Sequence, residues 1–455
     1  MIKIRPNEPI NHFLQKNHKK HPVSFHMPGH KYGRWLNRLK KRFYFYDTTE
    51  IYGADNIKNP EGIIKNSLEM ISRTYGSDYS FYLTNGATAG IHAVLRYASL
   101  AGGKLLVSRD CHISAVNGAI LFGTDIAFVP TGTKEGIPVP VSPEEVEIAI
   151  AKNPDACGIL ITSPNYYGMA ASISKIAKAA HEAGMFLAVD EAHGAHFRFS
   201  GLSDQSGINC GADIVCHSLH KTLPVYNQGA VLHICSDRIE KKAISDAANM
   251  LGTTSPSYAI ISSMEKAIAN LAATGEKEYQ KLKKHIKIIK NLENIRTVSN
   301  DDYTRLIIKT GVRGFEAAKI LHERHGIDIE SADFGHIVCI TTPGNKRKDF
   351  NRLKKALLSI KSAEETLHIP ALPSLPERKI SIHEAYATAS AEVPVDMAEG
   401  CICGTILVSY PPGTPLLCPG EIIDGYAVEY IRKIMNAGGS MLGIKGNKIP
   451  VLEQT

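Results

Sequence analysis

Four short segments of the 455-residue chain carry side chains that could do chemistry together. Thr84-Asn85-Gly86-Ala87-Thr88-Ala89-Gly90 follows the β-rich run Phe81–Leu83 and opens a helical stretch. Small residues let backbone N–H groups approach an anion, and a helix N-terminus adds positive potential. The segment reads as a phosphate cradle, or as an ordinary tight turn between strand and helix. Arg109-Asp110-Cys111-His112 follows Leu105–Val107. An imidazole there can stack on a planar ligand, or serve structure alone. Phe186–Val189 delivers Asp190, followed by Glu191-Ala192-His193-Gly194-Ala195-His196. A carboxylate at the end of an apolar strand is costly unless paired. Ser218-Leu219-His220-Lys221-Thr222 follows Ile214–Cys216. A lysine held there in a dry pocket can form a Schiff base, whereas most lysines are merely solvated.

Taken together, the four segments match what pyridoxal 5′-phosphate requires. That cofactor is an electron sink whose ring nitrogen needs an acidic partner and whose aldehyde needs a lysine. Asp190 and Lys221 are 221 − 190 = 31 residues apart, enough for one crossover. The surrounding pattern supplies a scaffold. Apolar runs at 81–83, 105–107, 126–129, 159–162, 186–189, 214–216 and 230–232 alternate with helical stretches near 87–101, 112–122, 143–151 and 173–183. Such alternation predicts an α/β fold with a mostly parallel, seven-stranded sheet covered by helices. Ligands of such sheets bind beyond the carboxyl ends of the strands. A long helix is expected from Tyr258 to Leu292, then a small α+β unit with strands at 306–308 and 337–340. Pro370, Pro373 and Pro376 mark a stiff linker before a last unit. The expected domains are an N-terminal arm (1–60), a large cofactor-binding domain (61–290), a small α+β domain (291–366) and a C-terminal domain (367–455).

At this point the chain resembles the fold-type I, pyridoxal-phosphate-dependent Orn/Lys/Arg decarboxylases, in their shorter bacterial form without the N-terminal response-regulator-like domain. The resemblance is carried by HMPGHK (26–31), DTTEIYGADN (47–56), PEG (60–62), TNGAT (84–88), RDCH (109–112), VDEAHGAH (189–196), SLHKTLP (218–224), TTSPSY (253–258) and YPPGTPLLCPGE (410–421). It implies that Lys221 carries the cofactor and that Asp190 partners the pyridinium nitrogen. It further implies that His112 stacks on the ring, Ala192 packs its other face, and His193 lies beside it. Gly86, Ala87, Thr88, Ser218 and His220 are implied phosphate contacts, and Ser255 one that reaches in from a second subunit. A homodimer at least, with shared active sites, follows from the same resemblance. The implied reaction turns arginine, lysine or ornithine into agmatine, cadaverine or putrescine and CO2, a step of polyamine biosynthesis. Lys221 or His220 returns the proton. Glu50, Asp55 and Glu421 are candidate partners for the distal cation of the substrate. Two departures stand out: Ala87 and Ala89 where the family usually has Ser or Thr, and Cys401-Ile402-Cys403-Gly404-Thr405 where it carries charge in a stretch that helps line the substrate pocket.

Composition narrows the alternatives. Hydrophobic residues make up 44% and charged residues 21%, which excludes a largely disordered chain. No apolar run reaches about 18 residues, so no membrane span is expected, and no secretory signal is visible. Nine cysteines without a CxxC pair read as reduced thiols in a cytoplasmic protein, with no zinc spacing. The net charge of +7 is concentrated in residues 1–42, which hold eleven Lys/Arg and one acid. That arm could bind nucleic acid, but a contact with an acidic neighbouring subunit or a solvated surface explains it as well, and no nucleic-acid partner is expected. Asp190-Glu191-Ala192-His193 spells a helicase DEAH box, yet no phosphate-binding GxxxxGK[ST] accompanies it. A metal hydrolase using Asp190, His193 and His196 lacks convincing spacing, and no metal is expected. Another reaction of the same cofactor, such as transamination or β-elimination, remains open because fold does not fix chemistry. So does a catalytically weakened regulatory homologue.

Overall fold

The structure, a computed structural model, describes residues 7–19, 46–293, 295–360, 373–410 and 413–453. The HMPGHK segment, most of the basic arm, Pro370 and the two prolines of YPPG lie outside them. The chain divides into two compact units, Met1–Val94 with Glu191–Glu278, and Leu95–Asp190 with Tyr279–Thr455. The seven expected strands form the central sheet: β1 (Tyr79–Leu83), β2 (Lys104–Ser108), β3 (Ile126–Val129), β4 (Ala156–Thr162), β5 (Phe186–Asp190), β6 (Ile214–His217) and β7 (Ala230–Ile234).

In the first unit β7 is antiparallel to both β1 and β6. β1 and β6 therefore run the same way, and their carboxyl ends share one edge. The helix Ala87–Ala101 starts directly after β1 and packs closely at Gly90. A Cβ on Gly90 would sit 2.5 Å from Cys216 Sγ and 2.9 Å from Leu83 Cδ1. The helix Ile63–Tyr75 buries Ile64, Leu68, Ile71 and Tyr75 along one stripe and stops at Gly76, whose φ of 90° suits glycine. Its start is held by Asp55, which accepts N–H bonds from Glu61, Gly62 and Ile64 at 2.8–3.0 Å. Partial burial raises the Asp55 pKa, but those bonds and one from Asn56 outweigh it and hold the carboxyl below its usual range. The helix Pro9–Lys19 is fastened to the long helix Tyr258–Lys290, where Glu265 accepts the N–H groups of Ile10 and Asn11 at 3.1 and 2.9 Å.

In the second unit β2 pairs in parallel with β3 and β4, and β4 with β5. Their near-continuous apolar sequence is that of strands covered on both faces. At Gly158 in β4 a Cβ would lie 2.4 Å from the Phe186 ring, so glycine lets β4 and β5 carry a large side chain between them. Helix Pro143–Lys152 begins with Ser142 as N-cap and Pro143 in its first turn. A hairpin that the sequence reading passed over joins Thr133–Lys134 to Ile137–Pro138. Its turn residues Glu135 and Gly136 both have positive φ, as a two-residue hairpin loop requires. The small α+β part is a four-stranded antiparallel sheet (296–298, 305–309, 336–340, 331–332) with helices Gly314–His325 and Arg347–Ser359. The C-terminal part closes around Val395, Cys403, Leu407, Leu417, Ile423, Ile431 and Ile449, all fully buried.

The close approach at Gly90 gives a direct test. Overpacking a dense interior costs about 1–3 kcal/mol, so Gly90→Ala should lower urea stability by about that amount. Adding Cys216→Ala should return part of the loss, and a simple sum of the two single effects would show that the sulfur is not the obstacle.

Candidate active site

The edge shared by β1 and β6 gathers most of the predicted cofactor contacts. Beyond β1, Gly86 turns the chain with φ of 85°, and its N–H donates to Gln228 O at 2.9 Å. Ala87 and Thr88 begin the helix, where the first N–H groups have no intrahelical acceptor. A Cβ built on Gly86 meets only Thr88 N, at 3.9 Å, so space is left before the helix start. Ala in place of Ser or Thr at 87 keeps the backbone donors of this cradle. Beyond β6, Ser218 leads into one helical turn, Leu219–Thr222. Leu219 and Thr222 are buried and anchor the turn, while His220 and Lys221 are partly exposed. Lys221 Nζ lies 3.1 Å from His193 Nε2. His220 Nδ1 is 3.2 Å from Gly229 O and 3.3 Å from Ser218 Oγ. A carbonyl only accepts, so Nδ1 carries the hydrogen and Nε2 is left as an acceptor. Burial lowers the His220 pKa, with Gly229 opposing and Lys221 reinforcing the shift. Ala192 is buried in the same unit, and Ser255 is exposed on the chain surface.

The second unit holds the other two predicted groups at the carboxyl ends of its parallel strands. Asp190 ends β5 opposite Thr162, and its carbonyl accepts from Ser163 N–H at 3.1 Å. Its side chain is buried. His112 caps the helix Ile113–Phe122: its Nδ1 accepts the N–H of Ser114 at 3.2 Å, which places the ring hydrogen on Nε2. Small residues and a helix start for a phosphate, a lysine, a strand-end acid and a flat imidazole are the set that pyridoxal phosphate needs, so these residues fit that group.

Several features were not legible beforehand. Arg109 donates to both oxygens of Glu421, at 2.6 and 2.9 Å, and to Leu416 O at 2.9 Å, with its guanidinium 4.4 Å from the Phe128 ring centre. Glu421 is thereby taken up within the chain. Of the other two candidates for a substrate cation, Asp55 caps a helix as described, and Glu50 accepts from Asn56 Nδ2 and Ile57 N–H at 3.1 and 3.2 Å. The Cys401–Thr405 stretch does not line the cavity of about 420 Å³ in this unit, whose walls include Arg109, Asp110, Tyr167, Asp333, Phe334 and Tyr430. Cys403 belongs to the C-terminal core instead. Glu191, His217 and His233 are buried polar residues that the sequence reading did not select. Their signal was a histidine at the end of β6 and another inside β7, both apolar strands.

Asp110 is buried, and no hydrogen bond of good geometry reaches its carboxyl oxygens. Burial pushes its pKa up to about 7, the nearby Ser108 hydroxyl and its own amide offset only part of this, and the Asp190 charge adds to the rise. Between the ordinary value of 3.8 and about 7 the folded chain holds a proton that the unfolded chain has lost. Stability therefore falls as pH rises through that window. Asp110→Asn removes the effect, so its Tm relative to wild type should be higher at pH 8 than at pH 5. An equal difference at both pH values would place the titration elsewhere.

Comparison with known proteins agrees with this arrangement. The profile of the Orn/Lys/Arg decarboxylase major domain matches residues 8–306, and that of the Orn/Lys/Arg decarboxylase C-terminal domain matches residues 367–446. An arginine decarboxylase of Bacillus subtilis is 30% identical, with 94% of each chain covered. One from Halalkalibacterium halodurans is 30% identical, with 92% of each covered. The solved constitutive lysine decarboxylase of E. coli superposes with a TM-score of 0.82 at 18% identity, covering 98% of this chain and 82% of that one. A Francisella novicida lysine decarboxylase gives 0.82 at 18%, covering 98% and 81%. The fold is thus the fold-type I arrangement expected from the sequence. With both profiles matched and relatives aligned over nearly their whole length, the chain belongs to the Orn/Lys/Arg decarboxylase family.

Proposed function

We propose that the chain removes CO2 from a basic amino acid, arginine first among arginine, lysine and ornithine, with pyridoxal phosphate carried on Lys221. The observation that carries this reading is the edge where Lys221, 3.1 Å from His193, sits with the helix start at Gly86–Thr88. Arginine is put first because relatives that align over more than nine-tenths of both chains are named arginine decarboxylases. Bound pyridoxal phosphate supplies the electron sink for the pair left behind when CO2 departs.

The chain's own residues do the rest. Backbone N–H groups at Gly86–Thr88, with Ser218 and His220, hold the phosphate. Asp190 keeps a proton on the ring nitrogen, and its burial at the strand end strengthens that interaction. His112, fixed as a helix cap, offers its ring face, and Ala192 leaves room on the other side. Lys221 returns the proton to Cα from Nζ. His220 is a poorer donor, because burial keeps it neutral at neutral pH. Ser255, exposed on this chain, suits a contact with the phosphate of a second subunit in a homodimer. Among the described residues no helix is long and apolar enough to cross a membrane, and free cysteines suit a cytoplasmic setting.

A screen of the twenty amino acids and ornithine for amine and CO2 release tests the reading. Arginine should give agmatine, and a keto acid in place of amine and CO2 would overturn decarboxylation. Borohydride should fix the cofactor to Lys221, and Lys221→Ala should lose the adduct. Asp190→Asn should retain cofactor while turnover drops by roughly 100-fold or more, the usual scale for losing a buried charge that stabilises the transition state. Unchanged turnover would remove Asp190 from its assigned role.

A further inference from the structure

Behind the Lys221–His193 pair, a line of buried polar groups crosses the first unit. Glu191 Oε1 is 3.1 Å from His217 Nε2, His217 Nδ1 is 3.1 Å from His233 Nε2, and His233 Nδ1 is 3.0 Å from Ser80 Oγ and 3.1 Å from Ser77 Oγ. Glu191, His217 and His233 are 0%, 1% and 0% exposed. The second oxygen of Glu191 accepts the Gly207 N–H at 2.6 Å. The Tyr75 ring lies 5.0 Å from both imidazoles, and its hydroxyl donates to Ala195 O at 2.9 Å. Every strong polar atom in the line has a partner.

The line can be satisfied in two directions. With His217 doubly protonated, it donates to Glu191 and to His233, and His233 donates to the serines. With His217 neutral, His233 donates to His217 and the serine hydroxyls donate back. Burial and the neighbouring His217 lower the His233 pKa, which keeps His233 neutral in both arrangements. The single mobile charge therefore belongs to the Glu191–His217 pair.

The two ends of that pair sit on the segments that carry the reactive groups. Glu191 is two residues before His193, and its carbonyl accepts the Gly194 N–H at 2.9 Å. His217 is the last residue of β6, followed by Ser218 and the turn that presents Lys221. A buried pair of this kind is weak evidence for stability but strongly resists being pulled apart. Resting on the reading of Lys221 as the cofactor lysine, we propose that Glu191 and His217 are positioning residues whose bond sets the separation of His193 from Lys221 and so tunes the proton affinity of Lys221 Nζ.

Glutamine at 217 can place its amide nitrogen where His217 has Nε2, keeping the bond to Glu191. Asparagine reaches only the Nδ1 position and keeps the bond to His233 instead. Each variant loses one hydrogen bond, so a role in stability alone affects them alike. The readouts are the pH midpoint of the visible band of the pyridoxal-phosphate-loaded protein, kcat and KM with arginine, and the Tm of the cofactor-free protein. His217→Gln should keep the midpoint and retain kcat within about 3-fold. His217→Asn should move the midpoint by about 0.5 unit or more and lower kcat by about 10-fold with KM within about 2-fold, the scale of about one hydrogen bond's free energy. Glu191→Gln, nearly isosteric, serves if His217→Asn does not fold, and should move the midpoint likewise. Equal effects of the two His217 variants, or a midpoint fixed in both and in Glu191→Gln, would overturn the proposal. A wild-type chain that gains no visible band with pyridoxal phosphate would overturn the cofactor reading, and this inference with it, whereas a wild-type band with unmoved variants overturns the inference alone.

Discussion

A charge taken out of water must be met by another charge or by several hydrogen bonds, because its solvation loss otherwise amounts to several kcal/mol. Much of this chain is arranged around that requirement. Glu265 is answered by the N–H groups of Ile10 and Asn11, Glu421 by the guanidinium of Arg109, and Glu191 by His217 and a backbone amide. Each answer joins segments far apart in sequence. These pairs fix register more than they add stability, and they surround the strand ends where the proposed chemistry takes place. Asp110 is the exception that shows the rule: without a good partner, its carboxyl keeps its proton to about pH 7.

Much of the fold could be read directly from the residues. Continuous apolar strands such as Ile159–Ile161 and Leu105–Val107 sit between helical stretches with visible start signals, as at Ser142-Pro143. The long helix ends at Lys290, two residues before the expected Leu292. The hairpin at 133–138 was missed because its strands are two residues each, too short for any alternation to register. Its Glu135-Gly136 turn was the available clue.

The candidate site divides in a similar way. Lys221, Asp190, His112 and the Gly86 turn announce themselves because each stands at the end of an apolar run, where a polar residue is out of place. Glu191, His217 and His233 obey the same rule, but their meaning depends on one another, and a sequence does not show that β6 and β7 are neighbours. The pairing of Arg109 with Glu421 is still less legible, since no local pattern spans 312 residues. Cys401 and Cys403 illustrate the reverse error. The contrast with a charged stretch in relatives drew attention to pocket chemistry, yet the small side chain of Cys403 fills the C-terminal core.

The length of that Arg109–Glu421 span bears on how the protein comes into being. Ribosomes add about 5–20 residues per second, so Arg109 waits on the order of 15–60 s before Glu421 has even been made, given the 312 residues between them. During that time a guanidinium destined for burial has no internal partner, and the segment around it, which leads into His112, cannot settle into its final packing. The second unit is therefore completed only after synthesis is nearly over. Until then the nascent chain presents the open edge of its parallel strands to the cell, and a chaperone that shields such edges would act in that interval.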